Sequence, residues 1–256
     1  MTASPRRGII VPTVLALLGV AVLVALGTWQ VERKAWKEGL IAAIEERLAA
    51  APVPLPARPQ WASLDPAKDE FRRVVFAATF LHDREALVYT TGSSLRPDVA
   101  GVGYWVFTPA RLGDGSLVMV DRGFVPEGRR DPATRTEGQV GATEVVGVLR
   151  WPEPPGLFTP AGDPKANLWF SRDPTAIAAA KSVDPVAPFY VEQEGPVPPG
   201  GQPRPGKLKA SLPNNHLGYA ITWYGLAVVL VAVFAAWLKS RRSVAGAAAP
   251  GDRPAA

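Results

Sequence analysis

The sequence predicts an α+β membrane protein, two transmembrane helices flanking a mainly antiparallel-β, curled or barrel-like extracytoplasmic domain with short helices. Three observations predict it. Residues 8–28 and 217–238 are apolar runs without a charge, and about 20 such residues cross a ~30 Å hydrocarbon core at 1.5 Å rise per residue. About 185 residues separate the two runs. That interval carries short β-branched and aromatic stretches bounded by Gly, Pro and Asp, which read as strands and turns.

Composition narrows the chemistry. The chain has 256 residues, 28 Lys and Arg against 23 Asp and Glu, and a formal charge of +5. Its cations gather beside the apolar runs, as Arg33, Lys34 and Lys37 and as Lys239, Arg241 and Arg242. They read as anchors at a lipid interface rather than a nucleic-acid surface. The absence of cysteine excludes disulfides, thiolate metal sites and thiol catalysis. With only Met1 and Met119, a soft methionine copper site is excluded as well.

In chain order, residues 8–28 form the first span, too long for the apolar core of a cleaved signal peptide. Trp29, Trp36, Leu40, Ala43, Ile44 and Leu48 then recur at helical spacing, so the span is expected to continue as a helix to about residue 50. The prolines at 52, 54 and 56 stop it. Glu45 and Glu46 read as a solvated face. A β-rich domain is expected over residues 52–206. Its strand candidates are 71–80 and 86–91, joined across the polar turn Asp83-Arg84-Glu85 as a first hairpin, a second hairpin of 103–109 with 116–121 across Gly113-Asp114-Gly115, then 143–151 and 187–192. Pro188 suggests an edge position for the last. Asp173-Pro174 opens a short helix as N-cap and first residue. Residues 196–206 are a Pro/Gly-rich approach to the second span at 217–238, and residues 243–256 read as a disordered tail. Long loops translocate largely regardless of charge, and the second span carries its cations after residue 238. Both termini are therefore expected in the cytoplasm and the large loop in the periplasm.

Most polar motifs have a structural reading. Asp121-Arg122-Gly123 reads as a strand end with glycine at positive φ. Arg129-Arg130-Asp131 and Arg135 read as a solvated loop, and His82 beside Asp83 as an incidental turn residue. No nucleophile elbow, Gly-rich phosphate loop, zinc spacing or EF-hand occurs. His216 differs. It stands where the second span begins, and His216, Ala220, Trp223 and Ala227 fall at i, i+4, i+7 and i+11, on one helical face. The bland reading is an interfacial anchor. The functional one is a neutral imidazole that ligates iron, with Tyr219 and Trp223 walling a planar apolar ligand.

Four blocks carry a family resemblance: Gly27-Thr28-Trp29-Gln30-Val31-Glu32-Arg33-Lys34-Ala35-Trp36-Lys37, Asp121-Arg122-Gly123-Phe124-Val125-Pro126, Asn167-Leu168-Trp169-Phe170-Ser171-Arg172-Asp173, and Pro213 to Leu226 with its Asn-x-His-Leu-x-Tyr-x-x-Thr-Trp-Tyr-Gly-Leu pattern. Over residues 8–242 the chain resembles the surfeit-locus (Shy-type) family of cytochrome c oxidase assembly factors. The resemblance implies a non-enzymatic factor in the inner (plasma) membrane that assists haem a delivery to, or stabilisation of, oxidase subunit one. It implies subunit one as partner, with haem a synthase a second candidate, beside membrane lipid and without nucleic acid. It further implies a transient haem a with His216 on its iron, Trp223 and Tyr219 beside it, and Arg33, Lys34 and Lys37 at the level of its propionates. The segment 201–207 is looser and richer in proline than the family pattern. A membrane-anchored sensor or binding module is the alternative, although no signalling domain is expected after the second span. A membrane hydrolase or transferase is disfavoured by two histidines and no cysteine.

Overall fold

The computed structural model describes residues 7–135, 141–183 and 185–247. Its chain divides into two compact units, Met1–Leu40 with Pro213–Ala256, and Ile41–Leu212.

The first unit is helical. Helix α1 runs unbroken over Arg7–Ala49, because no proline interrupts it between Pro12 and Pro52. The second long helix of the chain covers His216–Ala247, so residues 243–247, expected as disordered tail, continue a helix; residues 248–256 lie outside the described ones. Both helices are long and apolar enough to cross a membrane. Their apolar side chains stay on the outside, with Leu17 64% and Val228 68% exposed. A core helix of a soluble protein would bury them.

The second unit is built on β-strands. Strand β1 (Val53–Pro54) follows α1, and α2 (Pro66–Asp69) precedes β2 (Arg73–Phe80), β3 (Ala86–Ser93), β4 (Arg96–Leu112) and β5 (Leu117–Pro126). After these come β6 (Ala142–Arg150), β7 (Leu168–Trp169), α3 (Pro174–Ala180) and β8 (Val186–Gly195), and the helix over His216–Ala247 is α4. The strand order is β1-β2-β6-β8-β5-β4-β3-β7, with β2 also paired to β4. The path β2-β6-β8-β5-β4 therefore closes on itself, a barrel-like ring of five strands. Closure removes the free edges that would otherwise need protection.

The pairing corrects two expectations. Strands β2 and β3 are joined by a short 3-10 turn over His82–Arg84, yet they do not form a hairpin. Both lie along β4, with Phe80 opposite Ala110 and Ala86 opposite Phe107. The 17 residues of β4 are long enough to serve two partners end to end. Strand β8 is not an edge strand: it lies between β6, antiparallel, and β5, parallel. Pro188 is tolerated because the β5–β8 register slips between the pairs Leu117–Val186 and Met119–Tyr190, and the ladder needs no N–H there. The hairpin of β4 and β5 and the Asp173 cap, which accepts from the Thr175 and Ala176 amides at 3.0 Å, are found as expected.

Strand β5 is buried from Val118 to Val125 with no alternation, which requires cover on both faces. Val118 and Val120 join Phe189, Val191, Leu149 and Val74 in the barrel interior, with Trp61 against them. Met119 and Phe124 join Trp105, Phe107, Tyr190 and Ile177 in a second core on the other face. Asp121 and Glu192 are register partners. Alternation sends both to the second face, where α3 and the segment before it lie.

Gly123 has φ 113°, and a Cβ there would stand 2.2 Å from the Arg204 carbonyl oxygen. Phe124 and Arg204 exchange backbone hydrogen bonds of 3.1 and 2.8 Å, so the proline-rich approach at 201–207 is tied to the barrel. We expect Gly123→Ala to cost at least about 2 kcal/mol, combining positive φ with a backbone clash. Gly113→Ala, with nothing within 4 Å of the added Cβ, should be near neutral. Thermal unfolding of the two variants checks this; equal midpoints would mean the Arg204 contact does not constrain the backbone at Gly123.

Candidate functional site

In the helical unit, α1 and α4 meet along one seam. Ala220 and Ala227 are buried at 2% and 5%, and His216 and Trp223 are half-buried on the same face. The opposing face of α1 includes the small residues Ala16, Gly19 and Gly27 and ends in Gln30. A Cβ on Gly27 would meet the Tyr224 ring at 2.8 Å and one on Gly19 would meet Leu230 at 3.0 Å. Thr28 and Tyr224 hydroxyls are 3.0 Å apart. At the head of the seam, His216 Nδ1 lies 2.7 Å from Gln30 Oε1.

That contact sets the chemistry of the imidazole. With the Gln30 amide oxygen toward the ring, Nδ1 is the donor, and in the neutral ring Nε2 then holds the lone pair. Among the described residues Nε2 has no hydrogen-bond partner. A histidine whose second nitrogen is pinned to an acceptor is the usual arrangement of a metal ligand. An imidazole in this state is chemically competent to ligate a metal through Nε2.

The remaining expected residues are distributed otherwise. Trp223 lies in the seam, where α1 covers the face expected to receive a ligand. Tyr219 is 58% exposed, away from it. Lys34 pairs with Glu38 at 2.5 Å, and the Arg33 guanidinium lies 3.9 Å over the Trp36 ring. Lys37 donates to the Pro213 carbonyl. The structure brings His216 to Gln30 and not to these cations. Gln30 escaped the sequence reading, although it stands within the first of the four blocks. The available signal was an amide at the outer end of one span, level with an imidazole at the outer end of the other.

A second polar cluster lies in the β unit, on the outer face of β6-β8-β5. Glu192 is 2% exposed. Its Oε2 accepts from Arg172 at 3.4 Å and lies 4.0 Å from Arg150. Arg150 also reaches Glu70 and Glu153, each at 3.1 Å, and Arg172 lies 4.7 Å from the Trp105 ring centre. Burial opposes both guanidinium charges, but Tyr190 and Glu192 outweigh it and hold both groups above the ordinary arginine range. Asp121 is fully buried, with Oδ1 accepting from the Gly123 amide at 3.0 Å and Oδ2 without a partner. One expectation among the predicted bystanders is corrected. Arg135 is not solvated: its side chain is 4% exposed and paired with Glu85. His82 contacts Arg122 Nη1 at 3.1 Å, and burial lowers Arg122 to about 10. Glu45 and Glu46 are exposed as expected.

Fold and site define a class: a β-barrel-like unit joined to two membrane-length helices, with a histidine at the head of the second. Over residues 17–228 the chain matches the model of the SURF1 family. It is 38% identical to a SURF1-like protein of Monosiga brevicollis, over 89% of this chain and 87% of that one. It is 37% identical to Surfeit locus protein 1 of Homo sapiens, over 78% and 69%, and 36% identical to a SURF1-like protein of Drosophila melanogaster, over 82% and 72%. The chain belongs to the SURF1 family.

Asp121 makes a pH test possible. Burial, with Glu192 adding to it and Arg172 opposing, raises its carboxyl from 3.8 to about 7. Between those values the folded protein keeps a proton that the unfolded chain releases, so stability falls as pH rises from about 4 to about 7. The slope reaches ~1.4 kcal/mol per pH unit for one proton. Asp121→Asn keeps the shape and removes the titration, so the variant should gain on the native protein between pH 5 and pH 8. Unfolding midpoints of the full chain in detergent measure this; a difference independent of pH would show that Asp121 is ionised throughout.

Proposed function

We propose that this protein is an assembly factor for cytochrome c oxidase in the inner membrane, acting at haem a delivery to, or stabilisation of, oxidase subunit one, and that it is not an enzyme. Membership of the SURF1 family supports oxidase assembly. The observation that carries the haem reading is the 2.7 Å contact of Gln30 with His216 Nδ1, which leaves Nε2 as a free donor atom at the head of a membrane-length helix. His216 would hold the iron and Gln30 would fix the ring tautomer. Bound haem a would supply the iron coordination position and an isoprenoid tail that favours lipid. With both termini cytoplasmic, the His216 end of α4 lies at the periplasmic surface of the bilayer. Lys34, Arg33 and Lys37 would have to leave their present partners to meet propionates, so we assign them a weaker part than His216.

A single imidazole suits a carrier, because release breaks one protein–iron bond. The chain has no cysteine and two histidines, too few soft or nitrogen ligands for a permanent electron relay.

Absorption spectroscopy of the purified full chain supplied with haem a tests the reading. His216→Ala should abolish the bound spectrum while leaving the helix intact, since alanine is a strong helix former. Gln30→Leu should weaken binding about tenfold or more, the usual cost of losing the partner behind a histidine ligand. His82→Ala should change little. Deleting the gene should lower haem-loaded oxidase and spare other respiratory complexes. An unaltered spectrum and affinity for His216→Ala would leave the histidine an interfacial anchor, and undiminished haem in the oxidase after deletion would sink the assembly reading.

A further inference from the structure

A polar cleft in the β unit lies over the buried arginine pair. It encloses about 430 Å³ and is lined by Arg150 and Arg172 together with Tyr89, Trp105, Phe170 and Pro155. Nothing in the proposed haem chemistry uses it. Its walls divide by chemistry: guanidinium groups on one side, aromatic rings and prolines on the other. Tyr89 and Phe170 rings stand 5.8 Å apart, and the loop that completes the rim carries Leu157 and Phe158 at 98% and 95% exposure.

The arginines are not fully occupied. Arg150 is 2% exposed, and its Nη1 has no hydrogen-bond partner. Arg172 has a long hydrogen bond of 3.4 Å to an oxygen of Glu192 that Arg150 also approaches, and lies beside the Tyr190 hydroxyl. Of the carboxylates around Arg150, Glu192 is buried behind it and Glu153 reaches its Nη2 from the rim with a side chain 72% exposed. An exposed carboxylate on a mobile rotor contributes little to stability. Glu153 therefore stands where an incoming carboxylate would sit.

We propose that this cleft is a binding site for a small organic carboxylate with a flat or extended apolar body. The acid group would displace Glu153 and pair with Arg150 Nη2, beside the Arg172 guanidinium that lines the same cleft. The body would lie against Phe170 and Tyr89 toward the apolar rim. Arginine favours planar oxyanions with two acceptor oxygens, and a concave site with aromatic walls and a few convergent polar groups is the usual form of a small-molecule pocket.

The competition with Glu153 gives the test two opposite signs. Binding of 4-phenylbutyrate to the full chain in non-ionic detergent would be followed by calorimetry and by tryptophan fluorescence, Trp105 being beside Arg172. The native protein should bind it saturably in the millimolar range or tighter, roughly what one charged contact and one apolar face support. The uncharged amide, 4-phenylbutanamide, should bind at least about tenfold more weakly, the loss of one charge-assisted contact. Glu153→Gln should tighten butyrate binding several-fold, by removing the resident competitor. Arg172→Gln should weaken it about tenfold or more. Should Arg172→Gln fail to fold, Phe170→Ala at the half-buried rim should weaken both probes. No saturable binding up to about 10 mM, equal binding of acid and amide, or weaker binding by Glu153→Gln would each overturn the proposal and leave the arginines as a structural ion network.

Discussion

The length of β4 is the constraint on which the β unit depends. A strand of five or six residues could pair with β5 and with one of β2 or β3. Seventeen residues let β4 carry β3 on one stretch of its flank and β2 on the next, while β5 covers the other flank. The contact at Ala78–Leu112 to Phe80–Ala110 is what turns an open sheet into a ring. Once the ring is closed, β5 and β8 are interior walls with apolar layers on both sides. Most of their side chains are then apolar on each face, and Met119 and Val120 of β5 and Phe189 and Tyr190 of β8 are all nearly inaccessible.

Closure also explains the buried charges. Asp121, Glu192 and Arg150 point to the outer face of the ring, where an open sheet would leave them in water. The second core, capped by Ile177 and Ala178 of α3, covers that face and takes the charges with it. Removing an ion from water costs several kcal/mol unless it is paired. The cluster meets that cost unevenly: Glu192 is shared by two arginines, Arg150 is shared by three carboxylates, and Asp121 keeps a proton near neutrality. One carboxyl oxygen and one guanidinium nitrogen still lack partners. A sheet under selection for stability alone would replace such a set with apolar residues of similar volume, often at no cost. Its presence beside a cleft is what makes a ligand the economical explanation.

Much of the fold could be read from residue patterns, because its strongest signals are local. Two uncharged apolar runs, the helical spacing from Trp29 to Leu48, the turn at Gly113-Asp114-Gly115 and the cap at Asp173-Pro174 each depend on neighbours in sequence. Pairing does not. The turn at Asp83 looks like a hairpin because alternation and turn residues are present on both sides, and nothing local reveals that β4 is long enough to separate β2 from β3. Pro188 points to an edge for the same reason: the slip that accommodates it belongs to β5. Burial of Arg135 is equally non-local, since its partner Glu85 is fifty residues away. Among site residues, His216 was legible from its position at the head of an apolar run. Gln30 was not, because its significance appears only when α1 and α4 are placed side by side.

The pairing of Gln30 with His216 also bears on why the imidazole is there at all. An interfacial anchor needs an amphipathic ring at the headgroup level and no partner, and tryptophan or tyrosine would serve better. Trp29 and Tyr219 already stand near that level of the two helices. A histidine whose Nδ1 is committed to an acceptor on the neighbouring helix has surrendered half its capacity to interact with water. What it gains is a defined tautomer and a fixed ring direction, with the remaining lone pair on Nε2. The same contact ties the heads of α1 and α4 together, above glycines that let the helices approach. Groups at Gly27 and Gly19 would collide with Tyr224 and Leu230, so close packing lower in the seam is what carries Gln30 to within 2.7 Å of the ring. Helix packing and imidazole orientation are thus one arrangement: the small residues set the distance, the amide fixes the ring through Nδ1, and Nε2 is left without a hydrogen-bond partner among the described residues.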